Sequence, residues 1–218
     1  MKRMKCLGAG ALALLAVLLC LIVSTPAAEA RTPLRLARLP VIIETAYAPQ
    51  GADEVIETQM DRALHVPLNG TLHAVEEIDT AQAEQALREA LAELRTQGKR
   101  VRYKDAMPLV AEKLDADLVV CPVLTDCREY VYYGGCGPFD CMDEACLEST
   151  VALEIDGYDS AEQKNISKST RRFYRGAYGT QGTVLALTED AASALVRETK
   201  LNERVMRALK AEQTSAAS

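Results

Sequence analysis

The chain has 218 residues, of which 25 are basic and 31 acidic, giving a net charge of -6. That balance excludes the basic footprint of a nucleic-acid-binding domain. Tryptophan is absent and Phe139 and Phe173 are the only phenylalanines, so the core has to be aliphatic, and carbohydrate recognition by stacked tryptophan rings is excluded.

At the amino terminus, Lys2, Arg3 and Lys5 precede an apolar run from Cys6 to Val23 and the small-residue segment Ser24 to Ala30. This order predicts a secretory signal over residues 1–30, cleaved after Ala30, because Ala28 and Ala30 fit the narrow site of a signal peptidase. An uncleaved anchor is the alternative, since the apolar run sits at the lower edge of what spans a bilayer. Cys20 follows the bulky Leu19, unlike a bacterial lipid-attachment Cys. The signal places the protein outside the cytoplasm: periplasmic, cell-surface or secreted. Its removal leaves 188 residues with 22 basic and 30 acidic side chains, enough for one domain with its own core. No second apolar stretch is long enough to span a membrane.

Leu34 to Ile43 reads as a first strand, weakened by Pro40. Val55, Ile56, Met60, Ala63 and Leu64 recur at helical spacing behind Asp53 as a cap. A second strand is expected over Leu72 to Ile78, after the Asn69-Gly70 turn signal. Asp79 or Thr80 then caps a helix carrying Ala83, Leu87, Ala90, Leu91 and Leu94 on one face, and Gln97-Gly98 ends it. A further helix spans Lys104 to Leu114, followed by a valine-rich buried strand over Asp117 to Leu124. Three antiparallel segments come next: Cys127 to Gly135, Leu147 to Tyr158 and Ile166 to Tyr178. Thr188, with Glu189 and Asp190 behind it, is expected to cap a last helix reaching Lys210. The reading is an α/β (α+β) fold, a mixed sheet with an antiparallel β-meander and helices packed on it. It forms one domain over 31–210, with a flexible tail at 211–218.

The segment Ala111-Glu112-Lys113-Leu114-Asp115-Ala116-Asp117-Leu118-Val119-Val120 is followed by a meander holding Val151-Ala152-Leu153-Glu154-Ile155-Asp156-Gly157-Tyr158-Asp159. Together they resemble the helix, buried strand and returning hairpin of a group of bacterial envelope proteins. That group holds the TolB amino-terminal domain, the curli secretion lipoprotein and the lipoprotein activators of penicillin-binding proteins. The resemblance implies a non-catalytic envelope module that works by binding protein or cell-envelope partners.

No catalytic constellation is expected. Serine hydrolysis needs Ser, His and an acid in one site, and His65 and His73 are the only histidines, neither near a Gly-x-Ser-x-Gly turn. The stretch Gly176 to Gly182 lacks the Lys of a phosphate-binding loop and reads as a flexible connection. Arg171 and Arg175 project from one side of a strand and form a candidate patch for an anionic ligand, against the plainer reading of a solvated arginine face. After signal removal the cysteines are Cys121, Cys127, Cys136, Cys141 and Cys146, an odd number. Spacing that places four residues between Cys136 and Cys141, and again between Cys141 and Cys146, fits neither a redox pair nor a zinc site well. No metal or cofactor is expected, and the alternative function is a cysteine-based redox or metal-binding protein using the 136–146 loop. If the two strands pair so that Val131 faces Val151, Glu129 faces Leu153 and Cys127 faces Ile155, Cys136 lies opposite Cys146. Directly opposed residues are close enough for a disulfide. Cys141 is then the exposed free thiol, with Cys141 bridged to Cys136 or to Cys146 as the competing linkage. Cys121 and Cys127, on one face of one strand, are expected as buried thiols.

Overall fold

The computed structural model describes residues 33–98, 101–134 and 145–215. The signal segment, Cys136 and Cys141 lie outside these residues. From Pro33 onward the chain forms one compact unit. Its described elements are β1 (Leu34–Arg38), β2 (Ile42–Ile43), α1 (Ala52–Leu64), α2 (Asn69–Leu72), β3 (Val75–Glu77), α3 (Thr80–Thr96), α4 (Tyr103–Leu114), β4 (Leu118–Tyr133), β5 (Ala145–Asp159), β6 (Lys164–Ala177), α5 (Val184–Thr199) and α6 (Leu201–Ser215). A short 3-10 turn, Thr180–Gly182, joins β6 to α5.

The mixed sheet runs β3-β1-β4-β5-β6, with β2 also alongside β4. β1 is parallel to β3 and β4, and β4, β5 and β6 are antiparallel. Alternation in β1 and β4 supplies two faces, and each takes its own helices. Leu36, Val120, Leu124, Val151, Leu153 and Ile155 pack beneath α1 and α5 on one face. Ala37, Val119, Cys121 and Val123 pack beneath α3 and α4 on the other. The continuous apolar run of β4 follows from this three-layer arrangement, because a strand covered on both faces has no solvent side.

Several expectations needed adjustment. Pro40 divides the first strand into β1 and β2 rather than merely weakening it. Gly51, at φ 85°, precedes α1 in place of an Asp53 cap. Asn69-Gly70 opens the one-turn α2 instead of a turn, so the second strand shrinks to Val75–Glu77. The last helix starts at Thr183, whose hydroxyl caps the Ala186 amide, and the Thr188 hydroxyl bonds back to the Val184 carbonyl inside the helix. Lys200, at φ 54°, breaks the expected single helix into α5 and α6, the latter reaching Ser215.

The expected strands over 117–124 and 127–135 are one, β4, with a bulge between Leu124 and Asp126. One extra residue reverses which side chains face which side. Cys121 therefore packs beneath α3 and α4 while Cys127 packs beneath α1 and α5, on opposite faces rather than one. Both are buried free thiols, as expected.

The hairpin register is also corrected. Val131 faces Leu147, Glu129 faces Ser149, Cys127 faces Val151, and Cys146 faces Tyr132. The expected pairing is off by four residues, an even number, so every side chain keeps its face and alternation cannot tell the two registers apart. Gly157 favours the observed one: a Cβ there would come within 2.3 Å of the Val119 carbonyl oxygen, so only glycine fits beside that part of β4.

Candidate functional site: the open face of the β4–β6 ribbon

Beyond the bulge, β4, β5 and β6 continue as a three-stranded ribbon. α5 covers one face of it, packing on β5 and β6. Cross-strand register builds the other face in rows: Asp126–Ala152–Arg171, then Arg128–Thr150–Phe173, then Tyr130–Glu148–Arg175. Tyr130 and Phe173 are each 60% exposed, which is unusual for rings that could have been turned into the core.

Arg171 and Arg175 thus share one face, as alternation predicts, but neither is an isolated cation. Arg171 Nη2 donates to Asp126 Oδ2 at 2.9 Å, and Arg128 Nε donates to Asp126 Oδ1 at 2.8 Å. Arg175 Nε donates to the Tyr132 hydroxyl at 3.3 Å and lies 3.7 Å from Glu148 Oε2. Arg172, between them, points the other way and bonds Asp190 of α5. The open face is therefore aromatic and charge-paired: guanidinium groups paired with acids, with a phenol and a phenyl ring in the same rows. Sequence reading singled out the arginines and missed Tyr130, Phe173 and Arg128. The alternation Arg171-Arg172-Phe173-Tyr174-Arg175 placed Phe173 with the arginines, but the bulge hid Tyr130 and Arg128.

The other singled-out residues are not brought to this face. His65 ends α1 and His73 follows α2 at φ 46°, both exposed. In the Gly176–Gly182 stretch Gly182 is buried against the Tyr174 ring, which a Cβ there would approach within 2.3 Å, while Tyr178 is exposed. Cys146 is buried, with Sγ 3.0 Å from the Gly134 carbonyl oxygen. Its expected partner Cys136, and Cys141, lie outside the described residues. Among the described residues no group of three or more His, Cys, Asp or Glu could hold a metal ion. No described helix is long and apolar enough to cross a membrane.

No family model matches the chain, and no curated protein matches it. Among solved structures, the chain is similar to a hypothetical protein of Chlamydia trachomatis, with 12% identity, a TM-score of 0.43, and coverage of 80% of this chain and 99% of that one. A lipoprotein of Neisseria meningitidis gives 14% identity, a TM-score of 0.33, and coverage of 76% and 97%. The LpoB carboxy-terminal domain of Salmonella enterica gives 12% identity, a TM-score of 0.30, and coverage of 67% and 87%. Bacterial envelope lipoproteins are thus among the structures this chain is similar to. At these scores the likeness assigns no site and no activity.

Proposed function

We propose that this chain is an exported, non-catalytic envelope module whose open ribbon face docks a protein partner. The observation that carries this reading is the pair of exposed rings, Tyr130 and Phe173, set among Arg128, Arg171 and Arg175 on a hydrogen-bonded sheet. Aromatic and arginine side chains are the types enriched where protein interfaces gain most of their energy. The strands hold them in place before binding, so little ordering cost is incurred on docking. Pairing of each arginine with Asp126 or Glu148 favours a protein surface of mixed charge over a purely anionic ligand, because an anion would have to displace a carboxylate already in place.

Export rests on the residue order of positions 1–30, and the mature protein begins at Arg31 in this reading. A disulfide between Cys136 and Cys146, with Cys141 as the free thiol, belongs to the same reading, but since Cys146 faces Tyr132 it no longer rests on direct opposition and is supported only by an oxidising compartment that permits such a bridge.

The test is affinity capture from the native envelope with the mature protein and with the Tyr130→Ala/Phe173→Ala double variant. A protein retained by the former and lost by the latter, at unchanged melting temperature, supports the docking face. An identical captured set for both discards it. Loss of binding to anionic vesicles on Arg171→Ala/Arg175→Ala, with protein capture intact, would shift the reading to an anionic ligand.

A further inference from the structure

A cavity of about 530 Å³ opens between the end of α3, the start of α4 and the β5 strand face. That size lies within the range of small-ligand pockets, about 300–1,000 Å³. Among the described residues its lining holds six charged side chains: Glu44, Glu154 and Asp156 against Arg95, Arg102 and Lys104. No ion pair joins the three acids to the three bases; Arg102 pairs outward with Asp105, and Arg95 and Lys104 have no ion pair among the described residues. The two signs are thus held apart within one pocket.

Asp156 makes the arrangement more than a cluster of charges. It is 3% exposed, it lines the cavity, and its Oδ1 is a buried oxygen without a hydrogen-bond partner. A buried acceptor left unpaired costs about 1–3 kcal/mol, so such groups persist where something supplies the missing donor. Glu154, two residues away on the same strand face, takes the Ser167 hydroxyl at 3.2 Å and keeps its remaining acceptor capacity toward the cavity it lines. Tyr103, Leu91, Val101 and Val123 provide apolar wall between the charges.

We propose that this cavity binds a small zwitterion, its primary ammonium donating to Asp156 and Glu154 and its anionic group received by Arg95 and Lys104. An ammonium carries three donors and no acceptor, which matches a pair of carboxylates, Asp156 buried and Glu154 half-buried, with unused lone pairs. Two sources offer this chemistry: the free ends of a short peptide, or a phosphoethanolamine headgroup. Burial pushes the Asp156 carboxyl up to about 6, and Glu154 adds to this, while the Ser167 hydroxyl and the Lys104 backbone amide pull the other way. The other titratable and charged groups around it among the described residues are Cys121, Glu44, Tyr103, Arg95, Arg102 and the Lys104 ammonium. Taking up an ammonium therefore expels a proton near pH 6 and proceeds better at pH 7.5 than at pH 5.

The experiment is calorimetric titration of the mature protein with alanyl-alanine, N-acetyl-alanyl-alanine, alanyl-alaninamide and phosphoethanolamine at both pH values. Saturable binding of alanyl-alanine or phosphoethanolamine is expected, and whichever binds identifies the source. If the dipeptide binds, blocking either of its ends weakens it at least about tenfold. Asp156→Asn abolishes the preference for a free amino group while leaving the protein folded, and Arg95→Ala/Lys104→Ala weakens the anionic end alone. Absence of saturable binding by both probes up to about 10 mM, well beyond the range of weak specific sites, overturns the proposal. So does equal binding of the acetylated dipeptide.

Discussion

At the scale of single residues, Asp156 ties stability to pH. Its carboxyl is pushed up to about 6 in the fold, above its ordinary value of 3.8, so the folded state holds the proton more tightly than the unfolded chain. For a raised acid, stability is greatest below the unfolded value and is lost as pH rises from about 4 to about 6, by at most about 3 kcal/mol. Urea unfolding of Asp156→Asn should remove this slope and leave the variant more stable than the parent at pH 7.5. Gly157, its neighbour, is constrained by space: Gly157→Ala drives a Cβ against the Val119 carbonyl and should cost about 3 kcal/mol, read as a lowered urea midpoint. The two buried thiols should be inert. Burial, with Asp126 and Glu129 nearby, pushes Cys127 up to about 11, and burial also raises Cys121. Iodoacetamide at pH 8 should label neither in the folded protein and both in urea, as peptide mapping would show.

At the scale of elements, α6 packs Leu201 and Val205 into the core and is tied to the sheet by a shielded ion pair. Arg204 Nη1 donates to Asp159 Oδ2 at 2.7 Å and to Glu162 Oε2 at 2.9 Å, joining the helix to the β5–β6 turn. The pair is mostly shielded from water, so Arg204→Ala leaves Asp159 buried without its counter-charge and should cost about 3 kcal/mol. Restoring stability by the second change Asp159→Asn would confirm that the loss lies in the unpaired charge. Long amphipathic elements were legible in the sequence because periodicity acts over many residues: α3 and its Asp79 cap, α4, β5 and β6 appear close to where the pattern places them. Elements decided by one or two residues were not. Thr125 is an ordinary strand residue whose displacement is set by the need of β4 to present one hydrophobic set to each helical layer. The Asn69-Gly70 pair is equally at home in a turn and in a single helical turn, and only the Asn69 side chain, bonded to both the amide and the carbonyl of Val75, selects the second.

At the scale of the molecule, the alternation of apolar runs and helices was enough to place helices on a mixed sheet, but not to divide them between its two faces. The arginine half of the open face was visible too, since Arg171 and Arg175 belong to one strand. The cavity was not. Its charges come from positions 44, 95, 102, 104, 154 and 156, and Glu154 and Asp156 read in the sequence only as the polar alternates of a hairpin strand. What brings them together is the packing of α4 on β5 and of α3 on α4, a product of long-range contacts that no local pattern records. β4, β5 and β6 also run from the packed body into the open ribbon, the β4–β5 ladder pairing Leu118 with Asp159 at one end and Tyr133 with Ala145 at the other and shifting once, at the bulge. In mechanical terms this makes the ribbon an integral beam. A pull applied by a partner along the strands loads the ladder's hydrogen bonds in shear, many at once, and is carried into the helical layers instead of peeling the ribbon away bond by bond.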